Sequence, residues 1–331
     1  MADPKIDSLI ERMLAGDRLA LARLITQVEN RTEAVPAIMR AVHARAHDAY
    51  VLGVTGPPGA GKSTLVDRLT ALLRAREQTV GIVAVDPSSP FTGGAVLGDR
   101  IRMQAHALDP GVFIRSMATR GAFGGLARAT GNVVKLLAAS GFPWILIETV
   151  GVGQTELDIM KLADTTIVVL VPESGDAVQA MKAGLLEAAD VFVVTKADRN
   201  GAPALMAELK FSAHLAYTSP AARRDIDWEI PVLSTQAQND VGVDALLDNV
   251  ARHRTALEAT GALAERRRGR RREEFKSLLV EEFKAALETR LASGELAPTF
   301  EQVMDGRLDA YSAAREALAL LGLRARPGSQ P

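Results

Sequence analysis

Eight consecutive residues, Gly56-Pro57-Pro58-Gly59-Ala60-Gly61-Lys62-Ser63, fit the pattern G-x-x-x-x-G-K-[ST]. Each part of the pattern answers a need of phosphate chemistry. The glycines let the backbone wrap closely around phosphate oxygens. The N–H groups of the loop, and of the helix that opens behind it, turn positive potential toward those oxygens. Lys62 is placed to reach the β- and γ-phosphates, Ser63 to bind Mg2+, and Thr64 to reach the α-phosphate. An apolar run (VLGV, 51–54) precedes the loop and a helix-compatible segment follows it, the context the pattern requires. Together these residues specify a nucleoside triphosphate without saying which one.

The base is addressed elsewhere. Thr195-Lys196-Ala197-Asp198 ends a later apolar run, about 135 residues after the phosphate loop. An aspartate there can accept from both N1–H and the 2-amine of guanine, a donor pair that adenine lacks. Lys196 is expected along the base face. Ser234, Thr235 and Gln236 follow another apolar run, where a backbone N–H can meet the guanine oxygen. Glu148-Thr149-Val150-Gly151 stands where D-x-x-G stands in phosphate-loop GTPases. Its carboxylate serves the magnesium shell through water, since Mg2+ keeps several of its waters. The Gly151 N–H is placed to meet the γ-phosphate and sense its loss. Glutamate in place of aspartate is a departure from that pattern. Asp86, at the end of an apolar run, and Asp99, in a glycine-rich stretch, are further candidates for the magnesium shell or for orienting water; the bland alternative for each is a cap or turn residue.

Something must hold these residues in one place. Apolar runs at 51–54, 80–85, 144–147, 165–171, 191–195 and 231–234 alternate with stretches long enough for helices. Runs apolar throughout suit strands buried on both faces of a mostly parallel sheet, with helices on each side. The chain is therefore expected to be α/β, and ligands of such sheets bind at the carboxyl ends of the strands. Every motif above begins at such an end. Residues 1–48 read as helical, with Ile6, Leu9, Ile10 and Met13 and then Leu19, Leu21, Leu24 and Ile25 at helical spacing and Pro36 at a helix start. Residues 49–255 carry the nucleotide domain. From 256 to 331 the pattern is helical and charged: Phe275, Leu278, Leu279, Phe283, Leu287 and Leu291 form one apolar stripe, and a further helix is expected from Thr299 to about Leu323.

With 47% hydrophobic residues, a formal net charge of −1 and no cysteine, the chain shows no global pull toward nucleic acid or anionic lipid and no means of forming a disulfide. No apolar run is long enough to span a membrane, and the N-terminus does not read as a targeting segment. A soluble cytoplasmic protein of a bacterium is expected. Six arginines in ERRRGRRREEF (265–275) could suggest nucleic acid, but flanking glutamates and the lack of interleaved aromatic residues favour a solvated helix face or linker.

GPPGAGKS, VDPSSPFTGGAVLGDR, SMATRGAFGGLA, ETVGVGQTE and TKAD together resemble the MeaB/ArgK/MMAA family of phosphate-loop GTPases, over roughly residues 40–290. The match to its bacterial MeaB members is especially close. The resemblance implies a homodimeric G-protein chaperone of adenosylcobalamin-dependent methylmalonyl-CoA mutase, using GTP/GDP and Mg2+ and coupling hydrolysis to cofactor loading and to protection of the mutase. It also implies switches at 86–102 and 148–160, and a third at 171–184 that meets the mutase. Asp176, Gln179 and Lys182 are the polar residues of that third segment, where an ordinary solvated helix start is the alternative. With Lys62, Asp86, Asp99 and Gly151, read from the motifs above, Asp176, Gln179 and Lys182 complete the expected catalytic set. Relatives have also been labelled kinases or ATPases of amino-acid transport, and no separate segment here supplies an acceptor pocket. No arginine finger is evident and Gln154 lies three positions after the glycine, so basal turnover is expected to be slow. The stripe at 275–291 suits a dimer surface. No cobalamin-binding D-x-H-x-x-G element occurs in the chain, which puts the corrinoid on the partner.

Overall fold

A computed structural model describes residues 4–46, 49–86, 104–118, 125–149, 160–172, 189–219, 225–294, 296–320 and 322. The chain forms α1 (Pro4–Leu14), α2 (Arg18–Glu29), α3 (Val35–Val42), β1 (Tyr50–Thr55), α4 (Lys62–Ala75), β2 (Val80–Asp86), β3 (Val112–Ala118), α5 (Gly125–Ala139), β4 (Trp144–Thr149), β5 (Thr165–Leu170), β6 (Val191–Val194), α6 (Ala202–Thr218), β7 (Val232–Ser234), α7 (Val243–Thr260), α8 (Ala262–Ala292), α9 (Ala297–Met304) and α10 (Ala310–Leu320). It divides into two compact units, 1–270 and 271–331. Among the described residues no helix is long and apolar enough to cross a membrane.

In the first unit seven strands make one sheet in the order β3-β2-β4-β1-β5-β6-β7, every pair parallel. Apolar side chains alternate between its faces. Tyr50, Leu52 and Val54 of β1 join α4 and α7 through Leu65, Leu69, Leu246 and Val250. Val51, with Val83 and Ile147, joins α5 and the N-terminal helices through Leu136, Leu24, Ile25 and Ile38. The helices of residues 4–42 thus cover one face of the sheet. Asp17 caps α2 by accepting from the N–H groups of Leu19 and Ala20, which keeps the helix start in place on that face.

The six expected strands are present, and β3 is a seventh that the apolar runs did not reveal. It lies at the sheet edge and carries Arg115 and Ser116. Arg115 pairs with Glu29 and bonds Thr26 of α2, so half-burial replaced the continuous apolar signal. Leu19, expected in the apolar pattern of α2, is exposed instead. In the second unit the helix expected from Thr299 to Leu323 is two helices. Gly306 takes a left-handed conformation, and the N–H groups of Gly306 and Arg307 return to the carbonyls of Val303 and Gln302, closing α9. Asp309 then caps α10 by accepting from Tyr311 and Ser312. Within α8, Phe275, Leu278, Leu279, Phe283 and Leu291 are exposed, leaving the stripe uncovered in a single chain.

The arginine run differs most from expectation. Arg268 is exposed and makes only a loose pair with Glu265, but Arg266, Arg267 and Arg270 are not a solvated face. Arg267 donates to the Asp164 carboxylate at 3.1 and 2.7 Å and to the Ala49 carbonyl at 2.7 Å. Arg270 bonds both the Asp164 carboxylate and the Leu162 carbonyl. Arg266 pairs with Asp225 and, at 3.2 Å, with Asp190. Asp164 is 1% exposed and also accepts from the Val51 N–H at 3.0 Å. Burial by itself would raise its carboxyl, but Arg267 and Arg270 hold it below the usual carboxylate range.

Asp164→Ala leaves two half-buried guanidiniums without their carboxylate, and urea unfolding is expected to show a loss of about 3–5 kcal/mol. The contribution of Asp164 is present above its unfolded pKa of about 3.9 and is lost as pH falls through the lower folded value. Wild-type stability should therefore decline below about pH 4, and that of the variant should decline less steeply there.

Candidate functional site

The carboxyl ends of β1, β4, β5, β6 and β7 point the same way, and the segments leaving β1, β6 and β7 meet. After Thr55 the backbone turns through Gly56, Gly59 and Gly61, all at positive φ (143°, 75° and 85°). A Cβ on Gly56 would lie 2.0 Å from the Val169 carbonyl oxygen of β5, so only glycine fits there. Gly61 is the N-cap of α4 and no side chain caps that helix, which leaves its first N–H groups aimed into the loop. Pro57 and Ala60 are buried, Pro58 and Gly59 are exposed, and Thr64 is half-buried.

Lys62 is buried at the start of α4, and its Nζ donates to the carbonyls of Gly56 and Pro57, each at 2.8 Å. Ser63 donates from Oγ to Glu148 Oε1 at 2.6 Å. Glu148 is 2% exposed and lies level with Val54 of β1 and Ala84 of β2 in the sheet register. Next to it, the Thr149 hydroxyl donates to that of Thr55 at 2.9 Å, tying β4 to the root of the loop. The apolar strand β4 thus carries a charge at its end because the carboxylate is delivered to the first turn of α4. A hydroxyl and a carboxylate side by side are the hard oxygen donors that Mg2+ prefers, so the pair fits such an ion.

The Thr195-Lys196-Ala197-Asp198 segment is fastened to this loop. Thr195 Oγ1 donates to the Ala60 carbonyl at 2.6 Å, with the Leu170 carbonyl 3.2 Å away. Lys196 Nζ donates to the Gly59 carbonyl at 3.0 Å. Lys196 has φ 51°, a left-handed conformation that costs a non-glycine residue about 1–2 kcal/mol and is found where function demands it. Asp198 is exposed. Beside it, the Ala197 N–H donates to the Thr235 carbonyl at 3.3 Å, and the Thr235 N–H donates to Val194 at 2.8 Å. Ser234 is exposed, Thr235 is buried and Gln236 is half-buried, its backbone paired with Val241. Gly242 closes this turn against Ser234: a Cβ there would meet the Ser234 carbonyl at 2.3 Å.

The residues from Gly56 to Thr64, with Glu148, Lys196, Asp198 and the 234–236 turn, therefore gather along one rim of the sheet. Asp86 ends β2 on that rim, and its side chain lies outside the described residues, as do Asp99, Gly151, Asp176, Gln179 and Lys182. Sequence reading missed three members: the Thr195 hydroxyl, the Thr55–Thr149 pair and Gly242. A threonine at a strand end beside a glycine-rich loop was the one available signal.

The sequence matches the family described as methylmalonyl Co-A mutase-associated GTPase MeaB over residues 21–292. It is 50% identical to a protein of Pyrococcus abyssi named as a GTPase, across 93% of this chain and 94% of that one. It is 31% identical to the mitochondrial methylmalonic aciduria type A homolog of Mus musculus, across 93% of this chain and 78% of that one. Among solved structures, one known as LAO/AO transport system kinase aligns with a TM-score of 0.70 at 25% identity, covering 97% of this chain and 99% of its own.

Gly56→Ala must displace the loop from β5, and titration with a fluorescent nucleoside triphosphate is expected to show binding weakened at least about 100-fold, or about 2.7 kcal/mol. Gly59→Ala has no atom within 4 Å of its new methyl, so only the strain of a positive φ remains and the loss should be closer to about fivefold, or about 1 kcal/mol.

Proposed function

The chain belongs to the MeaB family and is a GTPase, and on that premise we propose that it is a G-protein chaperone of an adenosylcobalamin-dependent methylmalonyl-CoA mutase. In this reading its GTP–GDP cycle gates loading of the mutase cofactor and protects the enzyme. The observation that carries the guanine-nucleotide part is the fastening of the Thr195–Asp198 segment to the phosphate loop by Thr195 Oγ1–Ala60 O and Lys196 Nζ–Gly59 O. A base reader and a phosphate cradle so joined suit one ligand that has both parts. The mutase part rests on the family's description and on the methylmalonic aciduria homolog.

The residues take the following roles. Asp198 accepts from guanine, Lys196 lies along its face, and the backbone at Ser234, Thr235 and Gln236 meets its oxygen. Gly56 to Gly61, with Pro57, Pro58 and Ala60 shaping the turn, cradle the phosphates, and Thr64 reaches the α-phosphate. Lys62 leaves the Gly56 and Pro57 carbonyls for the β- and γ-phosphates, where it offsets charge building on the bridging oxygen. Ser63 and Glu148, with Asp86 and Asp99, hold Mg2+, which supplies charge neutralisation at the phosphates. Water attacks in line to give GDP and phosphate. Gly151 senses the γ-phosphate, and Asp176, Gln179 and Lys182 respond to the mutase. The exposed stripe of α8 pairs two copies of the chain, since an isolated amphipathic helix cannot bury its own apolar face. A cytoplasmic site of action suits this partner.

The test is GTP turnover with and without the purified mutase. The rate is expected to rise at least about tenfold, the effect of about 1.4 kcal/mol of added transition-state stabilisation, and Lys62→Ala should abolish turnover in both conditions. Capture of the mutase should differ between GTP and GDP. An unchanged rate together with nucleotide-independent capture removes the chaperone reading. Turnover of ATP in preference to GTP would favour the kinase label that the solved relative carries.

A further inference from the structure

At the rim opposite the nucleotide loops, the amino ends of β1, β5 and β6 meet a set of charges that the reading above leaves unused. Asp164 lies immediately before β5, and its carboxylate accepts from Arg267 and Arg270 of α8 and from the Val51 N–H of β1. The Asp164 N–H in turn donates to the Val51 carbonyl at 2.7 Å. Arg267 also holds Ala49, the residue before β1, and Arg270 also holds Leu162. Arg266 adds Asp190, which precedes β6, and the Trp228 indole donates to the Asp190 carbonyl at 2.8 Å. His253, fully buried on α7, stands 3.3 Å from Asp190 and 2.7 Å from the Thr165 hydroxyl. Three strands and two helices thus share one knot.

Two routes lead from that knot to the nucleotide loops. The first runs along β1, which ends one residue before Gly56; six residues of strand place the knot about 20 Å from the phosphate loop. β5 runs beside it and ends at Leu170, whose carbonyl meets Thr195. The second route is β5 itself, which Asp164 directly precedes, and the segment 160–164 braces β1 beside it. Met160 is buried and packs so closely on β1 that a Cβ on Gly53 would lie 2.7 Å from its sulfur. A buried ion cluster is seldom the most stable filling for such a space, and a role in specifying one arrangement is the best-attested reason to keep one.

We infer that Asp164, Arg267 and Arg270 form a coupling clasp through which guanine-nucleotide occupancy is transmitted to helix α8. These are positioning residues, with no contact to substrate, and the inference rests on the guanine-nucleotide reading of the site. A displacement at Glu148 or at the end of β1 moves Asp164, and the two arginines pass it to the helix that carries them. An apolar contact would slip under such a displacement, whereas a carboxylate held by the fork of Arg267 and by one further N–H of Arg270 moves with its partners.

The test is hydrogen exchange over residues 262–292 of the intact protein, with GDP and with a non-hydrolysable GTP analogue. Wild type should show a clear exchange difference between the two nucleotides. In a variant carrying Arg267→Gln and Arg270→Gln that difference should fall by more than about half, with nucleotide affinity kept within about threefold. Tryptophan emission supplies a second reading, because both tryptophans of the chain, Trp144 and Trp228, lie at strand ends on this rim or beside Asp190. Should the double variant not fold, Arg270→Lys keeps the charge but loses the planar group whose two nitrogens reach Asp164 and Leu162 separately, and the difference should shrink there as well. Lower thermal stability with the GTP–GDP difference intact marks a purely structural role and overturns the inference. Tight nucleotide binding by wild type without any exchange difference in α8 overturns it alone, and absence of guanine-nucleotide binding overturns the functional reading with it.

Discussion

One buried hydroxyl ties together the two halves of the proposed nucleotide site. Thr195 sits at the end of β6, is 2% exposed, and donates to the Ala60 carbonyl inside the phosphate loop. Without that bond the spacing of the loops after β1 and β6 would rest on the sheet and on the Lys196–Gly59 contact alone. With it, the Thr195–Asp198 segment, proposed to read the base, and the phosphate loop are held at one distance, and Lys196 strengthens the tie at the cost of a left-handed backbone. Gly56 serves the same end from below. Its missing side chain lets the loop lie against the Val169 carbonyl of β5, the strand between β1 and β6. The geometry of this site is therefore a property of strand order, and the chemistry is added by the residues at the tips.

The two rims of the sheet solve opposite problems. At the carboxyl ends, glycines and uncapped N–H groups leave hydrogen-bonding capacity facing a ligand. At the amino ends, the capacity is used up internally: Asp164 accepts from two guanidiniums and a backbone N–H, and Asp190 from Arg266 and the Thr166 N–H. Between the rims, Ile147, Val168 and Val193 are wholly apolar and closely packed, so the strands behave as stiff connectors. Function at one end and anchorage of α8 at the other thus share the same rods.

How much of this could be read from the residues depended on the reach of each signal. The phosphate loop was legible because its whole requirement is local: eight residues, a strand before and a helix after. Six strands were legible because burial on both faces leaves nothing but apolar residues. β3 was not, since Arg115 satisfies its charge on Glu29, 86 positions away in sequence. Half of the arginine run, Arg266, Arg267 and Arg270, was misread for the same reason, while Arg268, Arg271 and Arg272 are exposed as expected. Its charges look solvated until Asp164, over 100 residues earlier, is brought beneath them. Gly306 was a local signal for the break between α9 and α10 and was passed over. The roles given to Asp176, Gln179 and Lys182 came from family resemblance, and these residues, with Asp99 and Gly151, fall outside the described residues.

A calorimetric titration of GTP and of ATP, each with Mg2+, into wild type and Thr195→Val tests the central claim most directly. The valine keeps the shape and removes only the hydroxyl. The account predicts that wild type prefers GTP by at least about 100-fold, and that the variant binds GTP about tenfold more weakly, the worth of one buried hydrogen bond of about 1.4 kcal/mol. Equal affinity of wild type for the two nucleotides, or a variant indistinguishable from it, would contradict the account.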